Sequence, residues 1–124
     1  MNDPTSGSLT FPRERRLLAK KDFDLVFQEG RKKVRPSFVI YTRPSEPPLG
    51  PRLGVVTSRK MGKAHDRNRF RRRMRELFRT HQHQLSSVDI VVVGRSSAPA
   101  TDFAVMRDDF LSALKSLNAI EETS

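Results

Sequence analysis

The chain contains no cysteine, no signal-like N-terminus and no long apolar run, and each absence excludes a class of protein. Without cysteine there is no disulfide framework, no thiol nucleophile and no thiolate metal site. No stretch approaches the ~18 apolar residues that span a bilayer. The first sixteen residues, MNDPTSGSLTFPRERR, lack the apolar centre of a signal peptide. We therefore expect a cytoplasmic protein that does not enter a membrane.

Acidic residues are also scarce relative to basic ones. The 124 residues include 24 Lys and Arg but only 14 Asp and Glu, which gives a formal net charge of +10 and a pI of about 11.0. This balance favours a polyanionic partner, either nucleic acid or an acidic membrane surface. The length is that of one domain.

The excess charge is concentrated in one segment. Residues 59–79 hold ten Lys or Arg against Asp66 and Glu76, whereas the other 103 residues hold fourteen basic and twelve acidic side chains. A charge run is usually a solvated helix face. A net charge of +8 within this segment is costly through self-repulsion, however, so a bound polyanion explains it better.

No group of residues predicts catalysis by the protein itself. The three histidines offer no metal-binding geometry, because His81 and His83 are two residues apart on a predicted helix and point in different directions. No cluster of carboxylates indicates a two-metal nuclease. We therefore predict neither a catalytic residue nor a metal ligand.

Hydrophobic patterning predicts an α+β sandwich with the order α-β-β-α-β-α, in which helices pack on a small central sheet. Residues 1–16 are expected to be extended or mobile, residues 17–118 to form a single α-β domain, and residues 119–124 to form a tail. The predicted helices span 19–29, 63–83 and 101–117, and the predicted strands span 37–43, 52–58 and 88–94.

Local signals refine these elements. Gly30 is expected to end the first helix, and Thr101 is a candidate N-cap of the last. The segment PSEPPLGP, residues 44–51, is predicted to be the loop of a hairpin that joins the first two strands. The run VDIVVVG, residues 88–94, is typical of a strand buried on both faces.

The segment DRNRFRRRMRELFR, residues 66–79, carries seven arginines and separates into two stripes on a helix. One stripe is apolar and of the width expected for a face that packs on a core. The other is a row of cations suited to phosphate, because the planar guanidinium group binds phosphate oxygens bidentately. Asn68 within this row has two open roles, contact with a base or ribose and local capping. The apolar stripe is Phe70, Met74, Leu77, Phe78 and His81, and the polar row is Asn68, Arg71, Arg72, Arg75 and Arg79.

A second group of candidate residues is aromatic and aliphatic. Phe23 and Phe27 are spaced i, i+4 on the first helix, and Val39 and Tyr41 share one face of the first predicted strand, opposite Phe38 and Ile40. Such residues usually belong to a core. The alternative is a platform on which single-stranded nucleic acid stacks.

These motifs resemble the protein subunit of bacterial ribonuclease P. SRKMGKAHDRNRFRRRMRELFR is similar to that family's Arg-Asn-Arg signature, RRLLAKKDFDLVFQEG to its N-terminal segment, and VDIVVVGR to its third strand. The similarity extends over residues 15–117. It implies a four-stranded sheet with a left-handed β-α-β crossover, of the ribosomal protein S5 domain 2 type.

The resemblance also implies a function. The family removes the 5′ leader of precursor transfer RNA, with the RNA subunit as the Mg²⁺-dependent catalyst and the protein inactive alone. The implied partners are ribonuclease P RNA and precursor transfer RNA, and no protein partner is implied. The implied leader cleft is Phe23, Phe27, Val39 and Tyr41. The implied RNA-binding residues are Arg59, Lys60, Lys63, Arg67, Asn68, Arg69, Arg71, Arg72, Arg75 and Arg79.

The chain departs from the family pattern at His65, Asp66 and Arg73. A carboxylate at position 66 is expected either to pair with Arg67 or to cap the helix. Two other functions stay open: a general RNA-binding or ribosomal-type protein, and a DNA-binding protein that inserts the arginine helix into the major groove.

Overall fold

The structure, a computed structural model, describes residues 13–45, 48 and 50–120. Short 3-10 turns connect the regular elements of this part of the chain. Its helices are α1 (Lys20–Glu29), α2 (Ala64–His81) and α3 (Phe103–Ser116), and its strands are β1 (Arg31–Val34), β2 (Phe38–Pro44), β3 (Arg52–Val56) and β4 (Val88–Gly94). None of the described helices has the length and apolar character needed to cross a bilayer.

The four strands form one mixed sheet in the order β1-β2-β4-β3. β4 pairs antiparallel with β2 and parallel with β3. Its residues 88–92 are buried, so the prediction of a strand covered on both faces is confirmed. The α+β sandwich is likewise confirmed, with α2 as the connection between the parallel strands β3 and β4.

The predicted hairpin between the first two predicted strands, which are β2 and β3 of the structure, is wrong. β2 and β3 do not pair, because β4 lies between them. A hairpin would have left the apolar β4 at an edge of the sheet, where unpaired backbone groups and apolar side chains meet water. In the central position, the backbone groups along both edges of β4 are paired with β2 and β3, and both of its faces are covered. Of the predicted loop, residues 46, 47 and 49 lie outside the described residues.

Strand β1 was missed by the analysis of residue patterns and was implied only by the family resemblance. It contains Arg31, Lys32 and Lys33, which are poor strand formers, and most of it is exposed. It pairs antiparallel with β2 along the edge of the sheet. Tertiary pairing with β2 therefore determines its conformation, and a basic edge is a common feature of natural sheets.

The two faces of the sheet are covered by different helices. The larger core lies under α2 and α3 and includes Phe38 and Ile40, both fully buried. The smaller core lies under α1 and is built around Val26 and Val91. Tyr41 packs on this second core, so the predicted alternation of β2 is confirmed.

The end of α1 and the start of α3 are determined by other interactions than those predicted from the sequence. α1 ends before Gly30 as expected, but Gly30 has a φ of −80°, which is open to any residue. Its requirement for glycine is steric, because a Cβ atom there would lie 2.7 Å from the carbonyl oxygen of Thr42. α3 is preceded by Asp102, and Thr101 is not its N-cap: the Thr101 hydroxyl donates to the carbonyl of Ser97 instead.

The packed structure extends beyond the predicted domain limits at both ends. Arg13–Arg15 form a 3-10 turn, and Arg16 forms a parallel bridge with Leu53 of β3. Ile120 forms an antiparallel bridge with Leu85. Residues 1–12 and 121–124, which include most of the predicted extended segment and tail, lie outside the described residues.

Ion pairs hold α1 on the sheet. The guanidinium of Arg52 donates two hydrogen bonds of 2.8 Å to the carboxylate of Asp89, which is 3% exposed. Arg52 also lies 3.7 Å from Asp22 of α1, and Arg43 of β2 lies 2.9 Å from Glu29 at the other end of the helix. The hydrogen bonds that Arg52 donates to the Asp89 carboxylate raise the pKa of Arg52 despite its partial burial.

We expect Asp89→Asn to lower the free energy of unfolding by about 1.5–3 kcal/mol, because it leaves the partly buried Arg52 without its bidentate, charged partner. Chemical denaturation measures the change. The matched control is Asp24→Asn, which breaks an exposed pair with Lys20 and should cost less than about 1 kcal/mol. Equal losses in the two variants would contradict a special role for the Arg52–Asp89 pair.

Candidate nucleic-acid interface

Helix α2 packs on the core by one face and presents cations on the others. Phe70, Met74, Leu77 and Phe78 are all at most 3% exposed, which confirms four members of the predicted apolar stripe. The fifth, His81, is half-buried and its Nδ1 lies 2.8 Å from the carbonyl oxygen of Leu77. Because the apolar stripe fixes α2 on the core, the backbone that carries the arginines on the exposed faces of the helix is held in place.

The predicted polar row lines an open groove of about 490 Å³. Glu76 is the acidic residue in its lining, and its carboxylate is 2.6 Å from Nη2 of Arg79. Arg16, which was not among the predicted residues, contributes a further cation because its bridge to Leu53 brings the N-terminal segment alongside α2. The other lining residues are Asn68, Arg71, Arg72, Arg75 and Arg79.

Arg71 is held in place by two side chains. Its Nη1 donates to Oδ1 of Asn68 at 2.9 Å, and its Nη2 donates to Oγ1 of Thr57 at 2.6 Å. Asn68 therefore orients an arginine of the row, a role that the sequence did not indicate. Thr57 directly follows strand β3, so this contact links α2 to the end of the sheet.

Arg75 lies among like charges. Its pKa is lowered, first by burial and then by the neighbouring charges of Arg16 and Arg71. Arginine stays protonated nonetheless, so the groove retains its positive charge, and repulsion among its guanidinium groups destabilises the free protein. A bound anion would relieve that repulsion, which makes the groove a suitable site for phosphate.

The two arginines of the Arg-Asn-Arg signature make contacts within the protein. Arg67 donates to the carbonyl oxygen of Gly62 at 2.8 Å, and Nη2 of Arg69 lies 3.4 Å from that of Pro99. The Asp66 carboxylate accepts the backbone N–H of Lys63, so it caps α2. The remaining predicted cations before the helix, Arg59, Lys60 and Lys63, are exposed.

A second surface lies on the α1 side of the sheet. Strand register aligns four valines across all four strands, because Val34 pairs with Val39, Val39 with Val93, and Val93 with Val56. Directly paired residues share a face. Val34 is 51% exposed and the other three are half-buried. We call Val34, Val39, Val93 and Val56 the valine row.

Helix α1 lies beside this row and adds aromatic side chains. The rings of Phe27 and Tyr41 are 4.9 Å apart and nearly perpendicular, and Phe27 is 39% exposed. The ring of Phe23 lies over Gly54, where a Cβ atom would be 2.5 Å from Cε1 of the ring, so a larger residue there would displace Phe23. All four predicted cleft residues are thus brought to one face of the sheet.

Part of this face could not be predicted from the sequence. Val34 and Lys32 belong to β1, which was not predicted, and Lys32 pairs with Tyr41. Val56 and Val93 were placed on strands, but their alignment with Val39 depends on β4 lying between β2 and β3. Within the described residues, no group of three His, Cys, Asp or Glu is arranged to hold a metal ion.

Comparison with known families gives one match over nearly the whole chain. The family model described as Ribonuclease P matches residues 11–118. A relative from Pseudoalteromonas atlantica, named Ribonuclease P protein component, is 45% identical over 91 residues, which cover 73% of this chain and 75% of the relative.

Solved structures agree in fold. The RNase P protein of Staphylococcus aureus superimposes with a TM-score of 0.80 at 27% identity, covering 86% of this chain and 98% of that one. The RNase P protein of Thermotoga maritima superimposes with a TM-score of 0.70 at 35% identity, with the same coverage of the two chains.

We expect Arg75→Ala to weaken binding of a structured RNA by about 1–3 kcal/mol and to reduce the slope of log K against log salt by about one. Fluorescence anisotropy over a series of salt concentrations measures both. The control is Lys115→Ala, which removes an exposed cation of α3 outside the groove lining and should have little effect. An unchanged salt slope for Arg75→Ala would exclude the groove as a phosphate site.

Proposed function

The chain belongs to the ribonuclease P protein family, and from that premise we propose that it assists removal of the 5′ leader from precursor transfer RNA. In this proposal the RNA subunit hydrolyses the phosphodiester bond and the protein alone is inactive. The protein holds the RNA subunit with α2 and the single-stranded leader on the face that carries the valine row. The complex acts in the cytoplasm, where its RNA partners are made.

The observation that carries the proposal is the presence of two distinct surfaces joined through Thr57. The groove along α2 is cationic and offers guanidinium groups to a phosphate backbone. The valine row, with Phe27 and Tyr41, is apolar and aromatic, which suits unpaired bases. One RNA-binding helix would need only the first surface, whereas a subunit that binds both a catalytic RNA and a leader needs both.

The first surface supports binding of the RNA subunit. Arg71 is pre-oriented by Asn68 and Thr57, so little side-chain entropy is lost when it meets a phosphate. Arg16 and Arg75 add cations whose mutual repulsion a phosphate would relieve. Counterion release on binding then makes the affinity dependent on salt.

The second surface supports binding of the leader. Half-buried valines and a partly exposed phenylalanine provide contact area that does not distinguish among bases, as leaders of varied sequence require. Lys32 stands beside Tyr41 on the same face and offers a charge to the leader backbone. α1 covers only part of this face, so Val34 stays 51% exposed and the other three valines are half-buried, which leaves room for a single strand.

Mg²⁺ enters the proposal through the RNA. The described residues hold no cluster of ligands that fits a metal ion, so no catalytic step is assigned to a metal on the protein. The chain's own contribution is cationic: its arginines lower the repulsion between RNA subunit and substrate and thereby reduce the Mg²⁺ concentration needed for folding and binding.

The test is cleavage of precursor transfer RNA by a bacterial ribonuclease P RNA at low Mg²⁺ concentration. We expect correct 5′ cleavage to require both RNA and protein, with none from the protein alone. A protein that stimulates cleavage only as any basic RNA-binding protein would, without favouring the correct site, would instead support the general RNA-binding alternative. No stimulation at protein excess and low salt would refute the proposal.

We expect Phe27→Ala to weaken binding of precursor transfer RNA by about 1–3 kcal/mol, the range for loss of a base stack, and to leave binding of mature transfer RNA unchanged. Both affinities are measured with the reconstituted RNA–protein complex. Val105→Ala is the control, because it removes an apolar side chain of similar exposure from α3. Equal losses for precursor and mature transfer RNA would assign Phe27 to the core.

A further inference from the structure

A second groove lies along the flank of α2 next to the arginine row and shares Arg72 with it. Its volume is about 360 Å³, and it opens between α2 and the first residue of α3. It is lined by Arg72, Arg73, Glu76 and Phe103. We call it the α2–α3 groove. None of the cleft residues lines it, and of the predicted RNA-binding residues it includes only Arg72.

We propose that the α2–α3 groove binds one unpaired nucleotide of the RNA subunit, with the base against the Arg73–Phe103 pair and the adjoining phosphate on Arg72. The inference rests on the proposed function, since it requires that α2 meet RNA. It extends that function by adding an RNA contact on a face of the helix that the family signature does not mark.

The Arg73–Phe103 pair is already arranged for stacking. The guanidinium carbon of Arg73 lies 5.6 Å from the centre of the Phe103 ring, within the range of a cation–π contact. Nη1 of Arg73 also donates to the carbonyl oxygen of Thr101, which holds the guanidinium in place. Unpaired RNA bases stack on aromatic rings and on guanidinium planes alike. A base entering the groove meets both.

The charge of the groove suits a nucleotide. Glu76 is its acidic lining residue, and the carboxylate is already bound to Arg79 at 2.6 Å. Arg72 is exposed and lines both this groove and the one that holds the arginine row. An RNA backbone that crosses α2 at Arg72 can therefore place phosphates in one groove and a base in the other.

If Phe103 served only to pack the core, a different result would be expected when it is replaced by another apolar residue. The ring is half-buried and packs at the margin of the larger core. If packing were its only role, leucine would serve nearly as well, since volume-conserving apolar changes are well tolerated. Stacking requires the aromatic ring itself.

The first experiment compares Phe103→Leu with the unchanged chain in binding to ribonuclease P RNA without substrate. We expect the affinity to fall at least about fivefold, the lower end of a lost base stack, with an unchanged melting temperature. The control is Val105→Ala on the same helix, which should bind as the unchanged chain does. Full RNA affinity in Phe103→Leu would overturn the inference, as would a loss that merely tracks a lower melting temperature.

A second measurement reads stacking directly. The chain has no tryptophan, so Phe103→Trp introduces a single tryptophan at the groove, whose emission can be excited apart from that of Tyr41. We expect its emission to be quenched when ribonuclease P RNA binds, whereas Val105→Trp should keep its emission. Unquenched emission in a Phe103→Trp protein that binds the RNA would overturn the inference.

The two experiments separate the inference from the function on which it rests. If the unchanged chain fails to bind ribonuclease P RNA, the proposed function fails and the groove assignment fails with it. If the unchanged chain binds and supports cleavage while Phe103→Leu is equal to it, only the groove assignment fails. The loss in Phe103→Leu should also be independent of the leader, in contrast to that in Phe27→Ala.

Discussion

Burial of β4 on both faces is the constraint on which the rest of the structure depends. A strand of this composition is stable only in the middle of a sheet with helices on each side. Its central position separates β2 from β3 and requires α2 to connect β3 with its parallel neighbour. The arginine helix is therefore packed on one face of the sheet, and α1, on the other face, leaves the valine row partly exposed. Both candidate surfaces follow from the placement of one strand.

The density of positive charge on α2 is tolerated because several arginines have neutral partners within the protein. Arg67 and Arg73 donate to backbone carbonyl oxygens, and Arg71 is held by hydroxyl and amide oxygens. Arg69 differs, because its Nη2 lies 3.5 Å from the carboxylate of Asp66. The neutral contacts orient the guanidinium groups without neutralising them. Carboxylates in the same positions would have stabilised the free protein better and left less charge for RNA. The helix thus holds its guanidinium groups in a defined geometry and keeps a positive charge that a bound polyanion would neutralise.

The sequence predicted what depends on local patterning and missed what depends on pairing across the sheet. The apolar stripe of α2 and the buried run of β4 could be recognised, because each has an unambiguous hydrophobic pattern. The pairing of β2 with β4 could not, since short strands that neighbour in sequence usually pair. β1 escaped because Arg31, Lys32 and Lys33 carry no strand signal. The same limit applies to the site: the row of arginines was visible, whereas Arg16 and Thr57 join it only through tertiary contacts.

The basic edge strand β1 also bears on how the chain behaves before it meets RNA. An exposed strand edge is a template for pairing with another chain. Two copies meeting edge to edge along Arg31–Val34 would bring six cations together, and the repulsion opposes association. The opposite edge of the sheet is partly occupied by the bridge between Arg16 and Leu53. The free subunit is thereby protected against self-assembly into extended sheets during the interval between its synthesis and its capture by the RNA.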